Sequence, residues 1–230
     1  AIHHTRHRVA FGKKLVDQPL MKNVLADLAL ESEAHTALTA RIARAVDGST
    51  RGDENEAAFA RMGTAIGKYW VCKRGAVFVN EAQECLGGAG YVEEASLARL
   101  YRQAPLNSIW EGSGNIQCLD VLRAAVKEPA SLQAVFAEVK AAEGQNKHLD
   151  AEMSKLAADF TDMSTVEVRA RGLVERLALC MQASLLIRAG NSVVSDSFCE
   201  SRLGGQHGAA FGTLSAKTSF DAIIERAFPA

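Results

Sequence analysis

The chain has 230 residues, 48% of them hydrophobic, enough for one substantial hydrophobic core or two modest ones. The net charge of −1 gives no global field that would draw the protein to nucleic acid or to an anionic membrane, so either partner would need a local patch. No apolar run approaches the roughly 18 residues that span a bilayer, so we predict no membrane partner. Five cysteines without a CxxC pair indicate reduced thiols, and we predict a cytoplasmic protein.

Hydrophobic periodicity predicts long helices joined by short turns. Apolar residues recur at helical spacing over residues 19–46, where Pro19 suits a first turn and Gly48 a C-terminal cap. Residues 54–86 repeat the pattern after an Arg-Gly-Asp turn, so the two helices should pack antiparallel. Pro105 is expected to break the next helix. The other predicted helical segments are 93–101, 116–126, 131–142, 149–160, 166–188, 192–202 and 220–227.

The predicted fold is all-α, because no window alternates in the manner of a strand. We expect a long antiparallel helix bundle over residues 1–127 and an additional small helical domain over residues 128–230, with Pro129 at the boundary. Residues 204–208 are too rich in glycine to be helical. The first residues carry no helix cap, and we expect the chain to begin inside a helix of a longer protein.

The loop at residues 107–117, Asn-Ser-Ile-Trp-Glu-Gly-Ser-Gly-Asn-Ile-Gln, is the most informative stretch. Its carboxylate, Glu111, follows an aromatic residue and precedes a glycine-rich helix start, where a carboxylate can act as a base. The alternative is an acidic residue that complements the dipole of the following helix, and the residues alone favour that alternative.

Two further motifs precede this loop. Gly-Gly-Ala-Gly-Tyr at residues 87–91 ends a predicted helix, and its glycines let the backbone approach another molecule, although a glycine cap without a ligand is commoner. Arg-Val-Ala-Phe-Gly-Lys at residues 8–13 offers a guanidinium that fits a phosphate bidentately, although a solvated basic segment explains it equally well.

In this order and spacing, the three motifs resemble the signatures of the acyl-CoA dehydrogenases. The resemblance implies that family's C-terminal helical domain, FAD as cofactor, an acyl-CoA thioester as substrate and a homotetramer. It also implies that Glu111 removes the proton alpha to the thioester carbonyl, with Trp110 and Gly112 at the substrate pocket. The implied flavin contacts are Arg8, Phe11, Glu84, Gly87, Gly88, Ser113 and Asn115, and Arg8 is expected to approach the FAD pyrophosphate of a neighbouring subunit.

Five positions depart from that family's pattern. Glu84 and Pro19 stand where glutamine is usual. Ser113 and Asn115 replace threonine and glutamine, and Asn115 still offers an amide to the flavin ring. Trp110 replaces the common tyrosine, and its larger indole would narrow the acyl pocket against ordinary fatty acyl chains.

Residues 72–75, 100–102, 107–115 and 118–123 look like the AidB-like alkylation-response branch, whose members carry an extra helical domain. This resemblance implies an alternative function: a DNA-binding protective flavoprotein with a weak or vestigial dehydrogenase site. Residues 128–230 hold ten Lys and Arg against thirteen Asp and Glu, which favours an ordinary solvated surface. The candidate contacts to double-stranded DNA are Arg123, Arg169, Arg171 and Arg202.

Other functions find less support in the residues. His3 and His7 lie one helical turn apart but lack carboxylate or thiol partners, so we predict no metal site. A packing and oligomerisation module without catalysis is a third possibility. The family's N-terminal and middle domains are absent from these residues, so we predict that this chain alone is inactive and binds FAD weakly or not at all.

Overall fold

The computed structural model describes residues 1–162 and 164–228. Its helices are α1 (Ile2–His7), α2 (Pro19–Thr50), α3 (Glu54–Glu84), α4 (Gly88–Tyr91), α5 (Ser96–Asn107), α6 (Gly114–Lys127), α7 (Pro129–Lys140), α8 (Lys147–Asp159), α9 (Val166–Arg188), α10 (Ser192–Phe198) and α11 (Phe220–Ala227). A 3-10 turn, Leu15–Asp17, precedes α2, and a π-helical turn, Cys199–Leu203, follows α10. The all-α prediction is confirmed, with one small addition. Strands β1 (Val9–Ala10) and β2 (Lys13–Lys14) form a short antiparallel hairpin.

The long helices α2 and α3 pack against each other, as predicted, but the turn between them is not where Gly48 suggested. Gly48 is buried inside α2, and a Cβ atom there would lie 2.7 Å from Cγ of Glu56 on α3. The chain reverses at Gly52, whose φ is +88°. The carboxylate of Asp53 then accepts hydrogen bonds from the amides of Asn55 and Glu56 and caps α3. Gly48 therefore allows α2 and α3 to approach each other closely and does not end α2.

Helix α5 corrects the prediction for Pro105, which lies inside the helix rather than ending it. A proline ring removes the bond to the carbonyl four residues earlier, here that of Tyr101. Because Pro105 falls in the last turn, α5 continues to Asn107 and delivers the chain directly to the loop that carries Glu111.

Helix α9 has the predicted bounds and packs against α2, α3, α6, α7 and α8. Its residues Leu173, Leu177 and Met181 are fully buried together with Leu30 and Ile66 of the first two long helices. Burying side chains of this size stabilises a fold by about 1.5–3 kcal/mol each. One hydrophobic core therefore runs through both halves of the chain, and the domain boundary at residue 127 stays a prediction.

The C-terminal segment returns to α2 after α10. The side-chain amide of Asn23 donates to the carbonyl of Leu214 and accepts from the amide of Leu214, at 2.9 and 3.0 Å. Helix α11 then packs along α2, where Arg226 pairs with Glu33. Residues 204–208 are non-helical, as predicted.

Candidate functional site

The Glu111 loop, residues 108–113 between α5 and α6, makes a sharp bend at its centre. Glu111 has a φ of +54°, a left-handed conformation that strains a non-glycine residue by about 1–3 kcal/mol, and Gly112 follows at +98°. Glu111 is exposed, and none of the described residues donates a hydrogen bond to its carboxylate. The local sequence therefore presents an unpaired carboxylate on a strained turn.

Lys68 of α3 holds the backbone on both sides of this turn. Its ammonium donates to the carbonyls of Asn107, Trp110 and Gly112 at 2.9, 2.8 and 2.9 Å, which uses all three of its N–H groups. The sequence gives no local sign of this role, because the three carbonyls lie 39 to 44 residues further along the chain.

Gln117 of α6 holds the same turn from the other direction. Its side-chain amide donates to the carbonyl of Glu111 at 2.9 Å and approaches that of Gly112 at 3.4 Å. A Cβ atom at position 112 would lie 2.7 Å from that amide nitrogen. Gly112 is therefore required both for its positive φ and for the close approach of Gln117.

Several large apolar side chains close to Glu111 in the sequence are exposed. Ile109, Trp110 and Ile116 are each more than half exposed, with Trp110 at 56%. Large exposed apolar side chains that cluster around a polar group mark a binding surface. The predicted pocket residues Trp110 and Gly112 thus lie beside the predicted base, on an open face of the bundle.

The start of α6 brings a predicted flavin contact and a predicted DNA contact together. Asn115 is exposed, and its side-chain oxygen accepts a 2.8 Å hydrogen bond from Nε of Arg171 on α9. Ser113 occupies the N-cap position of α6 without a side-chain cap bond, so its hydroxyl stays available to a ligand. Arg171 therefore contacts the start of α6, directly after the Glu111 loop.

The glycine turn at residues 87–91 lies at the far end of α3. Gly87 has a φ of +59°, and Cβ atoms at Gly87 or Gly88 would meet no atom within 4 Å, so the backbone is open there. Gly90 differs, because a Cβ atom on it would lie 2.4 Å from the carbonyl oxygen of Gln83. Gln83 in turn donates its amide to the carbonyl of Gly90 at 2.9 Å. The contact between Gln83 and Gly90 thus fixes the turn, while the backbone at Gly87 and Gly88 stays accessible to another molecule.

Helix α1, which leads into the basic motif, lies toward the same end of α3, where Ile2 lines a cleft together with Phe78 and Ala82. Arg8 is exposed and forms no ion pair with any described residue, and Phe11, at the hairpin tip, is 94% exposed. Glu84 is also exposed and accepts a hydrogen bond from Asn80.

The predicted flavin contacts therefore fall into two groups. Sixteen residues of α3 separate Lys68, under the Glu111 loop, from Glu84, or roughly 24 Å at 1.5 Å per residue. The two groups do not form one compact site within this chain.

Two of the remaining arginines proposed for DNA are paired on the surface. Arg123 forms an ion pair with Asp120, although its side chain stays 62% exposed. Arg169 lies 3.4 Å from Asp159 and 3.5 Å from Asp162. A phosphate would have to compete with these carboxylates.

Arg202 does not lie on a DNA-accessible surface. Its side chain is 6% exposed and lies between Asp27 at 2.5 Å and Glu31 at 3.0 Å, both on α2. His207 lies 2.9 Å from the other oxygen of Asp27, and Arg74 donates to Glu31 at 2.7 Å. An isolated buried carboxylate requires such partners, so the role of Arg202 is internal.

These partners determine the ionisation of both carboxylates. Burial by itself would raise the pKa of Asp27, but the hydrogen bond with His207 and the charge of Arg202 outweigh burial, and the pKa lies below its usual value. Burial likewise opposes the charges of Arg202 and Arg74 at Glu31, whose pKa is also lowered.

The cysteines and histidines form no further site in the described part of the chain. All five cysteines are free, and burial raises the pKa of Cys85 and Cys118 to about 11, so neither is an activated thiol. The rings of His3 and His7 lie 4.6 Å apart, but no group of three or more His, Cys, Asp or Glu residues is arranged to hold a metal. No helix within residues 1–162 and 164–228 combines the length and the apolar character needed to cross a membrane.

Comparison with known proteins identifies the chain's relatives. Over 203 residues the chain is 42% identical to the putative acyl-CoA dehydrogenase AidB of Escherichia coli. The matched region is 87% of this chain and 36% of that protein. The chain thus spans about a third of that relative's length.

Solved structures agree on the fold. The crystal structure of Caenorhabditis elegans ACDH-11 in complex with C11-CoA matches with a TM-score of 0.77 at 25% identity, over 94% of this chain and 40% of that one. An acyl-CoA dehydrogenase from Bacillus anthracis complexed with FAD matches in fold alone, with a TM-score of 0.67 at 15% identity, over 98% of this chain and 43% of that one. Residues 1–126, more than half of the chain, match the family model for the acyl-CoA dehydrogenase C-terminal domain, and the chain therefore belongs to the acyl-CoA dehydrogenase family.

Proposed function

We propose that this chain is the base-carrying part of an FAD-dependent acyl-CoA dehydrogenase in which Glu111 removes the proton alpha to a thioester carbonyl. The observation that carries the proposal is the unpaired Glu111 carboxylate, whose backbone is fixed by Lys68 and Gln117. Positioning of this kind accounts for much of the rate of proton abstraction, because the base reaches its proton without further ordering. The C. elegans relative, crystallised with C11-CoA, supports an acyl-CoA thioester as substrate.

The residues present fit FAD. Arg8 offers an exposed guanidinium without a partner among the described residues, which suits a pyrophosphate. The open backbone at Gly87 and Gly88 permits close approach of a ligand, and the carboxylate of Glu84 suits a hydroxyl or amino group of an adenosine rather than a phosphate. The amide of Asn115 suits an edge of the flavin ring. FAD, when bound, supplies the acceptor for the hydride that leaves the β carbon.

The two separated groups of flavin contacts favour assembly into a homotetramer. Roughly 24 Å of α3 lies between the Glu111 loop and the glycine turn, and an assembly in which different copies contribute the two groups would let one FAD meet both. The exposed Phe11 and Trp110 are suited to burial by such partners. The chain spans only about a third of its E. coli relative, so we also propose that it is inactive alone.

The proton chemistry explains why a cover over Glu111 is needed. As the α C–H bond breaks, its proton goes to the carboxylate and its electron pair forms the new double bond while the β hydrogen departs. An exposed carboxylate is hydrogen-bonded to water and is too weak a base for this step, and a covering domain would remove that water. Trp110, adjacent to Glu111, would limit the width of the acyl group that enters.

An anaerobic titration tests the proposal. The complete polypeptide, loaded with FAD, is mixed with acyl-CoA thioesters of increasing chain length while the visible absorbance of the flavin is followed. We expect bleaching in the parent and in a Glu54→Gln control, and none in Glu111→Gln. Absence of bleaching with every thioester in protein that holds FAD would overturn the dehydrogenase proposal.

DNA binding is the second candidate function, and the exposed guanidinium of Arg123 is the observation that favours it. The buried position of Arg202 and the carboxylate partners of Arg169 weigh against a large basic surface. The expected affinity for duplex DNA is therefore low and strongly dependent on salt. If Arg123→Ala binds duplex DNA as the parent does, this contact is wrong. If neither flavin bleaching nor DNA binding were observed, a role as a packing and oligomerisation module would remain.

A further inference from the structure

We propose that Arg171, on α9 in the C-terminal half of the chain, is a positioning residue of the flavin site. It fixes the side-chain amide of Asn115 and places an unneutralised positive charge beside it. This inference rests on the proposed function, since it assigns a role toward FAD. It goes further because it makes α9, which lies outside the matched family domain, a contributor to the cofactor site.

The hydrogen bond determines which group Asn115 presents to a ligand. A guanidinium only donates hydrogen bonds, so the amide atom 2.8 Å from Nε of Arg171 must be the oxygen. The NH2 group of Asn115 is then directed away from Arg171 and remains a donor. The carbonyl oxygens O2 and O4 and the ring nitrogens N1 and N5 of an oxidised flavin are acceptors, so the amide offers them the matching polarity.

Arg171 is held in place by close packing at the start of α6. Gly114 is buried, and a Cβ atom on it would lie 3.4 Å from Nη2 of Arg171 and 3.3 Å from Cε2 of Tyr69. The glycine therefore lets the guanidinium lie against the helix start. Helix α9 packs on α6, and its residues Leu173 and Val174 are buried, which anchors the backbone that carries Arg171.

The charge of Arg171 is unusual for its helix. Arg169 and Arg176 on α9 each pair with two carboxylates, whereas Arg171 forms no ion pair with any residue in the described ranges. A cation beside a flavin favours electron uptake, because the reduced ring carries more negative charge. Asn115 is one methylene shorter than the glutamine usual at this position, which gives the guanidinium room to approach the ring.

The experiment uses the complete polypeptide loaded with FAD and compares the parent with Arg171→Met, Arg171→Lys and the control Arg176→Met. The two readouts are FAD affinity and the two-electron midpoint potential of the bound flavin. We expect Arg171→Met to weaken FAD binding severalfold and to lower the potential by about 30 mV, which is a tenfold change for a two-electron couple. Arg171→Lys should restore most of the potential but not the affinity, because a lysine keeps the charge without the planar donor geometry. Arg176→Met should change neither.

Each outcome is informative. If the parent binds FAD and Arg171→Met leaves affinity and potential unchanged, the inference is wrong while the proposed function stands. If the parent binds no FAD, the proposed function falls and the inference falls with it. If Arg171→Met does not fold, Asn115→Asp replaces it. The new carboxylate would neutralise Arg171, so we expect a lower potential, and an unchanged potential overturns the inference.

Discussion

The guanidinium of Arg202 lies 2.5 Å from the carboxylate of Asp27, a fully buried residue 175 positions earlier in the chain. Glu31 and His207 complete this contact, and the backbone amide of Gly212 donates to Asp27 at 2.9 Å. The carboxylates of Asp27 and Glu31 on α2 thus bind three residues of the C-terminal segment, Arg202, His207 and Gly212. Charges in this position determine whether the segment after α10 can dock on α2.

We expect Arg202→Met to destabilise the protein by about 3–5 kcal/mol, because it leaves two buried carboxylates without their shared cation. The matched control is Arg226→Met, which breaks a more exposed pair with Glu33 and should change stability by at most about 1 kcal/mol. Denaturant unfolding of both variants measures the difference in the free energy of unfolding. Equal effects would mean that the buried pair contributes no more than a surface one.

The same carboxylates predict a dependence of stability on acid. The pKa values of Asp27 and Glu31 lie below their ordinary 3.8 and 4.5, so the unfolded chain takes up protons first as the pH falls. Their contribution is complete above about pH 4.5 and is lost as the pH falls through the folded values. The free energy of unfolding should therefore decline below pH 4.5, and Glu31→Gln should reduce the slope. An identical slope in the variant would exclude Glu31 as a source of the acid sensitivity.

Local patterns in the sequence located most of the helices, but they did not predict the end of α5 at Asn107 or the role of Gly48. The period of apolar residues gave α9 its correct bounds, because such a pattern depends only on neighbours along the chain. The pairing of Arg202 with Asp27 had no local sign, and the sequence placed Arg202 on the surface for that reason. Gly48 was misassigned because a helix cap and a close helix contact both favour glycine, and only Glu56 across the contact distinguishes them.

For the candidate site too, the sequence points to residues within a contiguous motif but not to residues that reach the site from other helices. Glu111 and Asn115 can be proposed from their motif, which is contiguous in sequence. Lys68 and Arg171 were not assigned to that site, since their partners lie 39 to 56 residues away and only the packing of α3 and α9 on α6 brings them there. Residues that support a site from another element are recognised only once the fold is known.

Lys68→Met should slow α-proton abstraction about tenfold to a hundredfold, the effect of a base displaced by about 1 Å. The reason is that three loop carbonyls lose their common donor. Lys73, exposed on the same helix, provides the control, and Lys73→Met should leave the rate unchanged. The rate is measured by rapid mixing of the FAD-loaded complete polypeptide with a thioester. A parent-like rate for Lys68→Met would show that the loop holds its shape without the lysine.

Two glycine-to-alanine substitutions, one in the glycine turn and one inside α3, are expected to have opposite effects on stability. A Cβ atom at Gly90 would lie 2.4 Å from the backbone oxygen of Gln83, so Gly90→Ala should destabilise the protein by about 1–3 kcal/mol and weaken FAD binding at the turn. At Gly75, inside α3, the added atom meets nothing within 4 Å, and Gly75→Ala should stabilise by up to about 1 kcal/mol. Thermal unfolding and FAD affinity of the two variants, in the complete polypeptide, measure both effects. A higher melting temperature for Gly90→Ala, like the one expected for Gly75→Ala, would contradict this prediction. It would mean that the contact between Gly90 and Gln83 does not fix the conformation of the turn that contains Gly87.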